Sequence, residues 1–499
     1  MAVNPKKLRP YDQPPRVRAP IVPSQPDAAA ATYLVAAVLW LSAAAGIGVL
    51  WAAQQIFPTQ LSLSTQLPTL TGTLTFQISP ATVSAGFWNA LVYGWLSNAG
   101  LGAILFITPR VLGRPLRLEA VGTGSAALFN ISLMVGFLYV YLPQIAAKGM
   151  LAEFPLPVDG VLLLALFMVN LVFWRAVLPV DRGLPYVSIW FFGLALLAFM
   201  GLYFLSSVAP LIRLSDTGLA LTDAAYVRGI ETLWVTGVAI GTLYYAIPRA
   251  TGNPLYSMGL GILGWLLWAG LSTVSILGAL VDRSVPFAIT QLGNAATLML
   301  IGPAFLAVAN LVLSIRGRWS MILSPGTVPF AVVALAFLTA TTLLEAIGAL
   351  GSVRALVGNT EWVTGARLFA YFGTAGFAFL ALADHAFPRI LRRDWRDTIL
   401  SDAALWATFG GTAVAGLALF AGGIAHGSLL RDGAAPDAIA GTMRWFLGGA
   451  AAGIGLIGLG GLAVVVNLFL VYTGAPRAEY TVVEQGAGDA AEPAGATGE

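Results

Sequence analysis

The sequence predicts an all-α, polytopic membrane protein with twelve transmembrane helices in three arcs of four and pseudo-threefold symmetry. Three observations carry that expectation. Of 499 residues, 58% are hydrophobic and only 10% charged, with a mean hydropathy of +0.82; a soluble domain has nowhere to hide so much apolar surface. Runs long enough to cross about 30 Å of hydrocarbon occur twelve times. A helix closing in Pro-Arg occurs three times, at Pro109-Arg110, Pro248-Arg249 and Pro388-Arg389, with prolines 139 and 140 residues apart. That period is far too long for a solenoid, so the repeating unit is a bundle of several helices.

The elements follow in order. Residues 1–29 are polar, proline-rich and basic, without the apolar core and small-residue cleavage site of a signal peptide, and read as a cytoplasmic tail. A membrane domain spans 30–475, with helices near 30–53, 84–108, 118–142, 158–180, 185–208, 224–247, 256–281, 287–315, 327–350, 362–387, 401–425 and 442–472. The Gly/Ala/Glu-rich stretch 476–499 reads as a disordered cytoplasmic tail. Residues 54–83 carry no charge and read as an extended exterior loop. Most of the 26 Lys and Arg residues fall on the side of the two termini, which places both termini in the cytoplasm. The Pro-Arg ends then fall on helices 2, 6 and 10, one in each group of four. Proline cannot continue the backbone ladder and arginine anchors at headgroups, so each is expected to stop its helix at the interface.

Composition also excludes function classes. A net charge of +3, dispersed at helix ends, excludes nucleic acid as a partner. The absence of cysteine excludes disulfides, thiolate metal sites and iron–sulfur clusters held by the chain itself. Only two histidines occur, His385 and His426, and no helix face offers two histidines with a carboxylate. A metal oxygenase or hydrolase therefore fails.

Motifs across residues 84–472 resemble subunit I of the heme-copper oxidase superfamily, its C-type cytochrome c oxidase branch and the nitric oxide reductase large subunit most of all. Helix 2 reads Phe87, Asn89-Ala90, Gly94, Asn98-Ala99 and Arg110. The helix 6–7 join reads Tyr244-Tyr245, Pro248-Arg249, Gly252, Pro254 and Tyr256-Ser257. Helix 10 opens Glu361-Trp362, Gly365 and closes His385, Pro388-Arg389; Gly423-Ile424 and Gly427 follow. The resemblance implies a bundle in which histidines hold two hemes and a copper ion. Carried over position by position, the heme-ligand histidines fall here on Phe87, Ala366 and Leu368, the latter two flanking Arg367. The copper ligands fall on Arg228, Gly278 and Ala279, and the redox tyrosine on Ser272. None of the apolar replacements supplies the lone pair of a neutral imidazole. His385 reads as an interfacial residue beside Asp384 and His426 as a loop residue, too far apart to share one heme axis.

Charges within the membrane remain to be explained. Arg228 and Glu231 can pair on one helix face; Glu345, Arg367 and Arg444 lie toward the same outer side. They read either as interfacial residues that snorkel and pair, or as a converging anion or quinone-headgroup site. Asn89, Asn98, Asn130, Gln291 and Asn294 offer interhelical hydrogen bonds without an acidic relay. The Gly-rich segments of helices 11 and 12 permit close approach within the bundle or against another subunit. The leading expectation is a degenerate, metal-free homologue with no cofactor, acting as a membrane scaffold or anchor subunit of a bacterial respiratory electron-transfer complex and contacting lipid, other electron-transfer subunits and quinone. One alternative is a heme-binding respiratory oxidoreductase with unusual ligands and heme b as its cofactor; the other is an anion transporter.

Overall fold

The computed structural model describes residues 25–69, 72–142, 149–178, 183–212, 214–280, 285–391, 393, 395 and 397–473. Most of the amino-terminal tail and the whole 476–499 tail lie outside the described residues. Among those described, twelve helices are long and apolar enough to cross a membrane. They are α1 (Ala28–Ile56), α2 (Pro80–Leu112), α3 (Glu119–Val140), α4 (Leu156–Val177), α5 (Val187–Ile212) and α6 (Asp216–Thr251). The second half comprises α7 (Met258–Ala279), α8 (Phe287–Ser314), α9 (Thr327–Ala349), α10 (Glu361–Leu391), α11 (Thr398–Arg431) and α12 (Pro436–Thr473). All twelve expected spans are present, and the first begins at Ala28, two residues earlier than the expected domain start.

Local sequence sets the starts. Ser79 and Thr82 form a reciprocal capping box ahead of α2, with Pro80 in the first turn, where its missing N–H costs nothing. Ser215, Ser257 and Asp397 accept from the backbone N–H of Gly218, Leu260 and Ile399 at 3.1, 3.2 and 2.7 Å. The expected exterior loop is indeed extended: β1 (Leu63–Thr69) pairs antiparallel with β2 (Gly72–Ile78), Leu63 opposite Ile78. The Gln77 N–H, donating to the Tyr141 carbonyl at 2.9 Å, ties this hairpin to the end of α3.

The prolines do not stop their helices. Pro109, Pro248 and Pro388 each sit inside the last turn. The first two helices end instead at Gly113 and Gly252, whose φ values of 66° and 71° belong to the left-handed conformation glycine adopts without strain. Proline removes one ladder bond, leaving the carbonyl four residues before it without its helical donor, and the Asp384 carbonyl accepts from Trp395 instead at 2.9 Å. Arg110 donates to the Phe106 carbonyl at 2.8 Å and Arg389 to the His385 carbonyl at 2.6 Å, each four residues back. Arg110 also forks onto both Asp27 oxygens at 2.7 Å, binding α2 to the start of α1.

Helices α2, α6 and α10 form the centre. Their most apolar stretches are 100%, 100% and 94% buried, against 28–56% for the other nine. Phe106, Tyr245 and His385 occupy equivalent positions in the repeat and meet edge-to-face, with centroids 5.7 to 6.4 Å apart. Each of these helices also contains a π-helical stretch, Ala90–Ser97, Ile230–Thr236 and Phe369–Gly376, and the three stretches touch. π-helix is rare, so its recurrence 140 and 139 residues along marks the repeat in the backbone itself. Around this centre, exposed side chains such as Leu39, Met134, Phe167 and Phe305 present the apolar surface that a bilayer requires. The protein is a multi-pass membrane protein.

Two glycines of α11 and α12 bring these helices together. A methyl group on Gly411 would meet the Gly453 carbonyl oxygen, and one on Gly453 would meet that of Gly411. The two backbones are thereby in direct contact, as small residues allow in membranes.

Candidate functional site

Phe87, on the central helix α2, is fully buried. Its ring lies parallel to that of Trp51 on α1, at 5.3 Å and an interplanar angle of 7°. Trp88 tilts against Phe87 at 4.9 Å and reaches Tyr371 of α10 at 6.2 Å. Gly48 of α1 faces the Phe87 ring so closely that an added methyl would lie 2.7 Å from it. Ala366 and Leu368 are buried at the start of α10. The next residue, Phe369, packs edge-on to Phe337 at 5.0 Å and Phe420 at 5.2 Å. Aromatic rings fill these two regions.

Gly278 is buried, Ala279 half-buried and Ser272 buried. The Gly278 carbonyl accepts from Arg354 at 2.7 Å, and Arg354 also donates to Asn294 Oδ1. Arg354 lies on the short helix Gly351–Val357. Burial, and then the Arg228 charge, lower its pKa from the ordinary guanidinium value. Sequence reading missed it, because an arginine between two spans looks like an ordinary interfacial anchor.

The charged residues divide. Arg228 pairs with Glu345 of α9 at 2.9 Å and with Glu231, one turn along α6, at 3.7 Å. Arg367 stands near enough to Glu231 to act on it electrostatically. Its Nη1 touches the Met150 sulfur at 3.5 Å, while its Nε is buried without a hydrogen-bond partner. Four of the five expected residues are thus brought together. Arg444 is exposed on α12 and takes no part in these contacts. Asn89, Arg228 and Arg367 are spaced 139 residues apart, one per central helix. Asn89 donates to Glu153 at 2.8 Å, and burial raises the Glu153 carboxyl to about 7.

A tyrosine network adjoins this cluster. Tyr93 donates to the Leu151 carbonyl at 2.5 Å and shares a short hydrogen bond with Tyr226; Tyr203 donates to Asp159 at 2.7 Å. Tyr93 and Tyr203 are ring neighbours at 5.8 Å. No spacing in the sequence announces the network, because its members come from α2, α4, α5 and α6.

The two histidines stand elsewhere and differ from expectation. His385, expected beside Asp384 at the end of its helix, is buried in the three-ring cluster, 3% exposed. His426 is helical rather than in a loop, since α11 runs on to Arg431, and its Nδ1 lies 2.8 Å from Glu361. At the positions that the resemblance equates with metal ligands stand phenylalanine, alanine, leucine, glycine and an arginine already paired with carboxylates. Such a set offers iron or copper no donor, so the residues present do not fit the heme and copper groups of the resembling proteins.

Comparison with known proteins matches residues 28–455 to the family described as Cytochrome C and Quinol oxidase polypeptide I. The chain is 26% identical over 315 residues to the Cbb3-type cytochrome c oxidase subunit CcoN1 of Stutzerimonas stutzeri, covering 61% of this chain and 64% of that one. It is 25% identical to a cytochrome c oxidase subunit 1 homolog of Agrobacterium tumefaciens, covering 36% of this chain and 33% of that one. It is 22% identical to cytochrome c oxidase subunit 1 of Rhodobacter capsulatus, covering 58% of each. The chain thus spans less than two thirds of the length of these curated relatives. A solved heme-copper terminal oxidase dimer shares the fold, with a TM-score of 0.71 at 14% identity over 90% of this chain and 85% of that one.

Proposed function

Because the chain belongs to the Cytochrome C and Quinol oxidase polypeptide I family, we propose that it keeps that family's bundle and has given up its metal chemistry. It acts as a membrane scaffold or anchor subunit of an electron-transfer assembly in a bacterial inner membrane. One observation carries the reading: the parallel stack of Phe87 on Trp51, which occupies the space beside the position equated with a heme-ligand histidine. A heme needs both an axial donor and a slot for its ring. Phe87 offers no donor, and Trp51 stacks on its ring.

His385 does not rescue a heme. Its Nε2 is buried without a hydrogen-bond partner, yet Phe106 and Tyr245 crowd the ring from two sides. The chain therefore does not reduce oxygen or nitric oxide by itself. Its functional surface is the bundle, which holds partner subunits in lipid, together with the paired charges around Arg228. There, the buried and unpartnered Nε of Arg367 favours a ligand that accepts hydrogen bonds, such as a quinone carbonyl, over a purely structural role.

The decisive experiment is a reduced-minus-oxidised absorption spectrum of the purified, folded protein, with iron and copper measured on the same sample. A colourless, metal-free protein that co-purifies with other membrane or peripheral electron-transfer chains is expected. A stoichiometric b-type band overturns the reading, and His385→Ala and His426→Ala would then locate the ligand.

A further inference from the structure

A crevice opens between the loop after α3, the start of α4, the end of α5 and the start of α6. Its polar lining consists of Asp159, Asp223, Tyr203, Ser206 and Ser207. No described lining residue is basic. Ser206 is 6% exposed, and its Oγ has no hydrogen-bond partner, so a buried hydroxyl faces the crevice with its bonding capacity unused. Such a group costs free energy unless a ligand or water meets it. The rest of the wall is apolar, including Phe154 and Leu211.

This combination selects a chemical class. Two carboxylates and hydroxyls on one side attract a cation that donates hydrogen bonds. A bare metal ion would require a nearly complete oxygen shell, and the apolar wall withholds it. The apolar wall, Phe154 within it, suits a cation with a hydrocarbon arm. We propose that the crevice binds the ammonium group of a small organic cation, its charge held by Asp159 and Asp223, a hydrogen bond donated to Ser206 and its arm lying on Phe154. The ammonium could come from a free amine or from an ethanolamine phospholipid headgroup.

The test uses the whole purified protein. Isothermal titration calorimetry in detergent with n-butylammonium measures binding of a free amine. The same protein in nanodiscs of phosphatidylethanolamine or of phosphatidylglycerol, scored by thermal stability, measures the headgroup. Saturable amine binding that weakens at least tenfold in Asp223→Asn, and in Asp159→Asn, which still accepts from Tyr203, supports the proposal with a free amine as the source. Stabilisation by the ethanolamine lipid alone, lost in the same variants, supports it with the lipid as the source. Calcium binding without either amine effect, amine binding indifferent to both variants, or no binding in any arm overturns it. Circular dichroism of each variant separates lost binding from lost folding.

Discussion

Phe87 and Trp51 lie face to face, 5.3 Å apart and within 7° of parallel, joining the central helix α2 to α1. The contact supplies packing energy to the junction of α1 and α2. Removing the ring leaves a cavity that Trp88 and Ile454 cannot fill without moving. Phe87→Ala is expected to destabilise the protein by about 3–5 kcal/mol, seen as a lower unfolding temperature in detergent. Phe87→His alone should produce no low-spin, bis-ligated heme band, because Ala366 and Leu368 offer no second ligand; such a band in that single variant would contradict the packing account.

Arg228 and Glu345 are linked at 2.9 Å across 117 residues. Each side chain is only 14% exposed, so removing one partner strands a poorly solvated charge. Glu345→Ala is expected to cost about 3 kcal/mol, softened where Glu231 takes over. Adding Arg228→Met should recover part of that loss. A double-mutant cycle with no coupling would show the pair to be incidental.

Tyr245 presents a buried hydroxyl without a hydrogen-bond partner beside the Phe106 and His385 rings. Tyr245→Phe keeps the ring contacts and deletes the unsatisfied group. It should be neutral or stabilising by about 1 kcal/mol, measured by thermal unfolding. A large loss of stability would mean that the hydroxyl holds an ordered water.

Glu153, in the loop between α3 and α4, titrates near 7 because burial disfavours its charge. Its pKa in the unfolded chain is lower, so between about 4.5 and 7 the native state binds the extra proton. Stability contributed by this group is therefore present at low pH and lost as pH rises through about 7. Unfolding temperature should fall from pH 5 to pH 8, and Glu153→Gln should flatten that slope. An unchanged slope in the variant would assign the pH dependence to other groups.

Gly411 and Gly453 let α11 and α12 touch backbone to backbone. Gly453→Val should force the helices apart and cost at least 1–3 kcal/mol through overpacking. Unchanged stability would mean that this helix pair separates readily.

The sequence by itself determined the class, the twelve spans and the equivalence of helices 2, 6 and 10 in the repeat, because hydrophobic run length and a repeat near 140 residues are properties of the chain alone. It also determined that no histidine stands where the resemblance would put a metal ligand. The sequence places Gly113 and Gly252 four residues past their prolines, but only the structure shows them in the left-handed conformation that ends each helix; a proline in the last turn loses one ladder bond without ending the helix. Only the tertiary structure decided what surrounds Phe87 and Phe369, since the rings around them come from helices distant in sequence. It also separated exposed Arg444 from the paired charges, brought in Arg354, buried His385 and assembled the tyrosine network and its crevice. Those outcomes depend on which faces of different helices meet, and a periodic apolar pattern on a helix buried on every side carries no record of its neighbours.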